Sequence, residues 1–192
     1  NMGARGLWGK SVLYEESTRI PMIVSGPDVP RGQVSKTPVT LLDVHQTAIA
    51  GLGQATHEAD TDLFGKSLFE MASNKNDPGR LVASEYHAMG APSSAFMLRQ
   101  GDWKYHYYEG FAPELFNIAD DPEELTDCAK DPVSKAALDK FEETLRRMVD
   151  PTKIDRAAKD SMAALIENYG GRENAIDLGR SGSTPVPGRS PE

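Results

Sequence analysis

The fold is decided by residues 6–24, which read GLWGKSVLYEESTRIPMIV. A glycine-flanked lysine, Lys10, precedes an acidic, helix-like segment, and residues 21–24 read as a short buried strand. Glycines allow a loop to pass close to a ligand, and an ammonium is a compact point charge suited to the oxygens of sulfate or phosphate. Taken alone, Lys10 would be a solvated loop lysine. The ordered string from residue 6 to residue 24 makes it a candidate anion-binding residue.

A helix is predicted after a turn-rich stretch at residues 26–32. Thr37 is a plausible cap with Pro38 at the first helical position, and the helix is expected to stop at Gly51. Its apolar face is formed by Leu41, Leu42, Val44, Ala48 and Ile49. The pattern indicates an amphipathic packing helix.

The middle of the chain changes to short β segments. Residues 81–86, 95–99, 103–108 and 115–118 are rich in aromatic and branched side chains and are separated by turn signals. Spacing this short predicts an antiparallel meander of four strands.

Four separate strings, in the same order along the chain, resemble type I sulfatases of the alkaline phosphatase superfamily. They are residues 6–24, 37–47, 97–105 and 114–124. The resemblance covers about residues 1–150 and implies an α/β fold: the last strand and helix of an alkaline-phosphatase-like core, then an α+β subdomain with a four-stranded antiparallel sheet and helices. The expected divisions are 1–75 for the carboxyl-terminal part of the catalytic core, 76–150 for the small sheet and its helix, and 151–192 for a terminal helix with an extended or flexible arm.

The resemblance implies a sulfuric ester hydrolase that cleaves sulfate monoesters of small molecules. Lys10 would contact the sulfate oxygens, a formylglycine would be the nucleophile, and a divalent metal, usually calcium, would be bound mainly by residues absent from this chain. The precursor motif of that nucleophile, Cys-x-Pro-x-Arg or its serine version, is missing, because the single cysteine, Cys128, is followed by Ala-Lys-Asp-Pro. The 192 residues alone are therefore expected to be inactive. Cys128 is expected to be a buried or half-buried small apolar residue.

Two alternatives stay open. A phosphonate or phosphate ester hydrolase of the same superfamily would use the same cradle for a tetrahedral oxyanion. A non-catalytic structural or oligomerisation fragment is favoured for the isolated chain by the missing nucleophile motif.

The histidines and the acidic strings are further candidate site residues. His87 lies after a predicted strand in the sequence SEYHAMG, where the resemblance implies substrate contact and the simpler interpretation is a surface loop histidine. His45 is expected on a helix face, His57 in a polar connector and His106 within an aromatic strand, and no histidine pair has the spacing of a zinc site. The pairs at 15–16, 120–121 and 123–124 are interpreted as solvated faces or caps, with Glu15 neutralising Lys10 or a nearby arginine.

Two amphipathic helices are predicted near the end of the chain. Asp131 and Pro132 open the first, whose apolar side is Leu138, Phe141, Leu145 and Met148. Asp150 and Pro151 open the second, whose stripe is Ile154, Ala158, Met162, Leu165 and Tyr169. Because the second stripe has no evident partner, a homo-oligomer that uses this helix is expected. The proline-rich run after Gly179 is expected to be a flexible tail or an extended arm.

Composition limits the classes of partner. The chain has 21 Lys and Arg against 29 Asp and Glu, a formal charge of −8, which argues against binding nucleic acid or an anionic membrane. No apolar stretch approaches the roughly 20 residues that span a bilayer. A lone cysteine permits no internal disulfide and favours a reducing compartment, so a cytoplasmic location is expected.

Overall fold

The computed structural model describes residues 1–88 and 91–179. The α-helices are Glu15–Thr18 (α1), Asp43–Gly51 (α2), Leu68–Ser73 (α3), Lys135–Met148 (α4), Pro151–Asn168 (α5) and Arg172–Gly179 (α6). The strands are Val82–Tyr86 (β1), Ala95–Gln100 (β2), Trp103–Tyr108 (β3) and Glu114–Asn117 (β4). Short 3-10 turns occur at Ala4–Gly6, Glu58–Asp60 and Pro132–Ser134.

The four strands form one antiparallel sheet in the order β1-β2-β3-β4. Each predicted strand lies within a residue or so of an observed one, so the predicted meander is confirmed. Gln100 pairs with Trp103 across a two-residue turn. Gly101 opens that turn at φ 61°, a conformation that glycine adopts without steric cost and that tight hairpins need.

One face of the sheet packs against α4. Leu98 and Leu115 are buried with Phe141 and Leu145 of the helix. The rings of Tyr105 and Phe141 stack with their centroids 5.8 Å apart. This is the hydrophobic core of the carboxyl-terminal half, and truncating an aromatic in such a core costs about 3–5 kcal/mol.

The opposite face of the sheet is covered by the amino-terminal segment. Leu13 is 4% exposed and packs with Ala95 and Met97 of β2. The neighbouring residues of this face on β3 are polar, Lys104 and His106, and both are fully buried. The segment that carries Lys10 is therefore fixed to the sheet by a small apolar contact and a polar network.

The predicted cap of α5 by Asp150 is confirmed, whereas Asp131 and Pro132 open a 3-10 turn and α4 begins only at Lys135. The Asp131 carboxylate accepts a hydrogen bond from the amide of Val133 at 3.0 Å, and that of Asp150 accepts one from Lys153 at 3.1 Å. The first turn of α5 packs inward, because the buried Asp155 carboxylate accepts a hydrogen bond from the amide of Ser94 at 2.8 Å. Ile154 of the predicted stripe packs against the core. Farther along, Met162 is 38% exposed, Leu165 is 54% exposed, and Tyr169, the residue that follows α5, is 51% exposed.

The predicted buried strand at residues 21–24 is wrong. These residues are extended without a β ladder, and Ile23 is 89% exposed. A strand needs a neighbouring strand for its amides and carbonyls, and among the described residues none lies beside this segment. Residues 21–24 are apolar, as the sequence shows, but the described part of the chain forms no sheet that buries them.

The predicted start of the second helix is also wrong, because α2 begins at Asp43 and not at Pro38. The hydroxyl of Thr37 accepts a hydrogen bond from the amide of Asp77 at 2.8 Å and so does not cap a helix. The carboxylate of Asp43 instead accepts one from the amide of Thr40 at 2.8 Å, which closes a turn just before the helix. Three residues of the predicted apolar face are exposed, Leu41 at 64%, Leu42 at 54% and Val44 at 46%.

No helix of the described part of the chain combines the length and the apolar character that a membrane crossing requires. The division at residues 75 and 150 stays a prediction. The proline-rich run after Gly179, with its predicted tail or arm, lies outside the described residues.

Candidate functional site

Lys10 follows a small loop that closes on itself. Met2 and Trp8 form an isolated antiparallel β-bridge, and the amide of Gly9 donates a hydrogen bond to the carbonyl of Asn1 at 3.1 Å. Gly9 has φ 108°, which L side chains rarely adopt, and this turn delivers the chain to Lys10. The side chain of Lys10 is exposed, and no hydrogen bond or ion pair joins it to another described residue. Its ammonium is thus available to an anion.

Arg5 anchors the loop on the amino-terminal side of Lys10. Its guanidinium pairs with Glu16 at 3.2 Å and lies 3.9 Å above the ring of Tyr14. It also donates to the carbonyls of Glu123 and Glu124, the latter at 3.2 Å. Arg5 therefore ties the loop both to α1 and to the segment that follows β4.

Glu15 and Lys104 anchor the loop on the carboxyl-terminal side of Lys10. Lys104 Nζ lies 2.9 Å from Glu15 Oε1 and 2.8 Å from Glu124 Oε1. The amide of Glu15 donates to Glu124 Oε2 at 2.6 Å. The side chains of Lys104 and Glu124 are fully buried, where a charge is tolerated only when it is paired and hydrogen-bonded. We call Glu15, Lys104 and Glu124 the clamp.

A half-buried carboxylate, Glu114, lies beside the clamp. It accepts hydrogen bonds from the hydroxyls of Tyr14 at 2.8 Å and Tyr108 at 3.0 Å, and lies 3.3 Å from His106 Nδ1. Burial alone would raise the pKa of Glu114, but bonds from His106 and the two tyrosines hold that pKa below its usual value. Burial and the same carboxylate raise the pKa of Tyr14 to about 12. Tyr14 therefore stays a neutral donor that connects the loop to β4.

The carboxylates around the loop are engaged in holding it. Glu15 does not pair with Lys10, but it lies 3.9 Å from Arg19 Nε and 4.0 Å from Arg99 Nη1, so the arginine half of the prediction for Glu15 is confirmed and the Lys10 half is wrong. The expectation that Glu123 and Glu124 form a solvated pair is wrong for Glu124. Its position between Lys104 and the amide of Glu15 removes it from water.

Sequence reasoning missed the roles of Lys104, His106 and Glu124. One signal was present, because β3 reads WKYHYY and is aromatic on both sides of the pleat. A strand of that composition is covered on both faces, so polar residues within it have to find buried partners. The partner of Lys104, Glu15, lies 89 residues away in sequence and could not be identified from the local pattern.

His87 lies apart from the Lys10 loop. Its side chain is 23% exposed, its ring meets Phe96 edge-on at 5.2 Å, and Nε2 lies 3.3 Å from Glu85 Oε2. Among the described residues no contact joins His87 to Lys10, and Met89 and Gly90 of the same loop lie outside the described residues. Substrate contact by His87 stays a prediction.

The remaining candidates, His45, His57 and Cys128, lie outside the Lys10 loop. His45 lies on α2, 3.6 Å from Asp60, and the His57 Nδ1 accepts from the amide of Ala59 at 3.1 Å. Cys128 is half-buried, as predicted. Within residues 1–88 and 91–179, no three His, Cys, Asp or Glu side chains converge in a way that could hold a metal ion.

The comparisons with known proteins agree with the geometry. Residues 3–150 match the family model for the N-sulphoglucosamine sulphohydrolase carboxyl-terminal region. The chain is 32% identical over 167 residues to a choline-sulfatase from Rhizobium meliloti (strain 1021), which covers 84% of this chain and 32% of that protein. It is 32% identical over 154 residues to arylsulfatase K from Xenopus laevis, covering 76% of this chain and 28% of that protein.

A solved structure of a 2-O GAG sulfatase is 25% identical, with a TM-score of 0.55 over 73% of this chain and 30% of that chain. The chain spans about a third of the length of the curated relatives it matches. The family model, which covers well over half of the chain, and the order of the motifs around Lys10 lead to one assignment: this chain belongs to the type I sulfatases and corresponds to their carboxyl-terminal portion.

Proposed function

We propose that the full-length protein hydrolyses sulfate monoesters and that the Lys10 ammonium contacts the sulfate oxygens. The observation that carries the proposal is the contrast between Lys10, which has no partner among the described residues, and the residues on both sides of it, which buried contacts hold in place. The relatives named choline-sulfatase and arylsulfatase K support the reaction class.

The physical role of Lys10 follows from the charge of the transferring group. A preorganised positive charge stabilises negative charge that develops on the sulfate oxygens and need not reorganise during the reaction. An ammonium on a flexible loop would lose part of this advantage. Anchoring by Arg5 before Lys10 and by Glu15 after it supplies the preorganisation.

The nucleophile is proposed to be a formylglycine that lies outside the described residues. Cys128 does not fit the role, because burial and the neighbouring Asp131 raise the pKa of its thiol, whereas a reactive cysteine has a lowered pKa. The loop around Lys10 therefore supplies substrate binding, and the bond-breaking group comes from elsewhere in the full-length protein.

Type I sulfatases bind a divalent metal, and we propose that calcium is the metal used here. Calcium takes oxygen ligands. The described residues do not form such a site by themselves, since no three His, Cys, Asp or Glu side chains converge among them. The carboxylates of Glu15 and Glu124 pair with Lys104, and that of Glu114 binds Tyr14 and Tyr108. We therefore propose that the metal is bound mainly by residues absent from this chain.

The exposed stripe formed by Met162 and Leu165 of α5 and by Tyr169 just after it is proposed to contact a second copy of the full-length protein. Support comes from the exposure of all three side chains beyond the first turns of the helix, because an apolar stripe left in water favours association. The expected cytoplasmic location rests on the single cysteine and stays a prediction.

The proposed reaction is tested with a substrate panel. Full-length protein is stripped of metal with a calcium-selective chelator and assayed with 4-nitrophenyl sulfate, choline sulfate and a phosphonate monoester, before and after Ca²⁺ or Mg²⁺ is returned. Turnover of a sulfate ester that Ca²⁺ restores better than Mg²⁺ is expected. Turnover of the phosphonate alone would favour the second hydrolase class, and the isolated 192-residue chain is expected to turn over none of the three.

A further inference from the structure

We propose that Lys104 is a positioning residue for Lys10: its buried ammonium on β3 sets where α1, and hence the loop before it, lies on the sheet. The inference rests on the proposed role of Lys10 in sulfate binding. It assigns a reaction-related role to a lysine that the substrate would never touch.

The Lys104 ammonium has three oxygen partners: it donates hydrogen bonds to Glu15 and Thr18 and forms an ion pair with Glu124. Glu15 Oε1 lies at 2.9 Å, Glu124 Oε1 at 2.8 Å and Thr18 Oγ1 at 3.1 Å from Nζ. Glu15 and Thr18 are the first and last residues of α1. One ammonium thus holds both ends of the helix that begins five residues after Lys10, so a rotation or slide of α1 would break at least one bond.

Glu124 links this contact to the other side of the loop. Its carboxylate pairs with the Lys104 ammonium and accepts a hydrogen bond from the amide of Glu15. Its carbonyl accepts a hydrogen bond from the guanidinium of Arg5. Glu124 has φ 52°, a conformation that non-glycine residues hold only when their surroundings impose it and that clusters at functional positions. The segments before and after Lys10 therefore converge on a single strained residue.

Apolar packing does not fix the loop by itself. Leu7 is 40% exposed and Trp8 is 60% exposed, and Leu13 is the buried apolar residue of the segment. A buried ion pair is a poor source of stability compared with well-packed apolar side chains, but its bonds are directional. The clamp therefore determines position more than it determines stability, which is what a preorganised binding lysine requires.

The test is a double-mutant cycle on kcat/KM for a sulfate ester in the full-length enzyme, with Lys10→Ala, Lys104→Met and the pair. Lys10→Ala is expected to lower kcat/KM about 100-fold. Lys104→Met is expected to lower it by roughly 10- to 100-fold through misplacement of Lys10. Since both changes remove the same interaction, the double variant should lie within about 3-fold of Lys10→Ala, instead of showing the product of the two losses.

Arg80→Met is the matched control. Arg80 forms a buried ion pair with Asp43 that does not touch residues 1–20. Its removal should disturb folding to a similar degree. Any loss of kcat/KM that it causes should, however, multiply with the loss caused by Lys10→Ala. If the loss of kcat/KM caused by Lys104→Met also multiplied with the loss caused by Lys10→Ala, the positioning role of Lys104 would be overturned. The proposed role of Lys10 would then still stand. Full activity of Lys10→Ala would overturn the proposed role of Lys10, and the positioning role with it.

A second variant covers the case in which Lys104→Met does not fold. Glu15→Gln keeps the shape and the backbone bond to Glu124 and removes one charge from Lys104. It should give the same non-additivity with Lys10→Ala, together with faster hydrogen exchange at the amides of residues 15–18. Unchanged exchange and unchanged kcat/KM in Glu15→Gln would overturn the proposal.

Discussion

Arg5 and Glu124, 119 residues apart in sequence, are joined by a hydrogen bond of 3.2 Å from the Arg5 guanidinium to the Glu124 carbonyl, and both hold left-handed backbone. Their φ angles are 55° and 52°, the only positive values of non-glycine residues in the described part of the chain. Such conformations cost on the order of 1–3 kcal/mol each. The long-range contact offsets that cost, so the shape of the Lys10 loop depends on the segment after β4.

Gly9→Ala should distort the turn that leads into Lys10. A methyl group at Gly9 meets no atom within 4 Å, but the residue has φ 108°, and left-handed backbone costs an L-residue about 1–2 kcal/mol. The backbone should relax at this exposed position, and kcat/KM for a sulfate ester should fall about 10-fold as Lys10 moves.

Gly101→Ala is the matched control for this change. Gly101 also has positive φ and open space around its α-carbon, but it lies in the β2–β3 turn. It should lower the thermal unfolding midpoint and leave kcat/KM unchanged. Equal losses of activity in the two variants would mean that glycine at residue 9 has no special relation to Lys10.

The Asp43–Arg80 pair should make stability depend on pH in the acid range. Burial alone would raise the pKa of Asp43, but Arg80 and the amides of Thr40 and Lys66 hold that pKa below its usual value. A carboxylate of this kind contributes stability that is fully present above its unfolded pKa, roughly 4, and that is lost as the pH falls through its lower folded pKa.

Asp43→Asn should therefore destabilise the protein by about 3–5 kcal/mol near neutral pH, and the gap to the parent should shrink below about pH 4. Thermal midpoints of both proteins across this range measure the effect. The control is Asp160→Asn, a change at an exposed position of α5, which should shift the midpoint little at any pH. A gap that stays constant down to low pH would show that the charge of Asp43 contributes nothing.

Charges placed on α5 should dissociate the proposed oligomer. Met162→Glu combined with Leu165→Glu puts two carboxylates into the exposed stripe, and an interface core excludes unpaired charge. Light scattering of the full-length protein should then report a smaller mass. Arg156→Glu, a charge change elsewhere on the same exposed helix, should keep the mass of the parent, and an unchanged mass in the double variant would remove α5 from the interface.

Much of the carboxyl-terminal half was readable from sequence because its signals are local. The β2–β3 turn contains its glycine, and Asp131 and Asp150 each precede a proline that begins a helix. The apolar side predicted for α4 placed Phe141 and Leu145 in the core. In these elements local preference and tertiary packing agree.

The rest depended on contacts between distant residues. Residues 21–24 have strand composition, but a strand forms only beside another strand. The α2 start was misplaced because the buried bonds of Asp43, to Lys66 and Arg80, come from far along the chain. In the candidate site the glycine-flanked Lys10 could be identified from sequence, whereas its anchoring by Lys104 and Glu124 could not.

The central claim is that Lys10 contacts the sulfate, and the kinetics of Lys10→Ala in the full-length enzyme test it most directly. The account predicts that kcat/KM for a sulfate ester falls about 100-fold, close to 3 kcal/mol of lost transition-state stabilisation. Lys10→Arg should recover only part of the loss, because a planar fork replaces a point charge. Wild-type kcat/KM in the Lys10→Ala enzyme would contradict the account and return Lys10 to the status of a solvated loop residue.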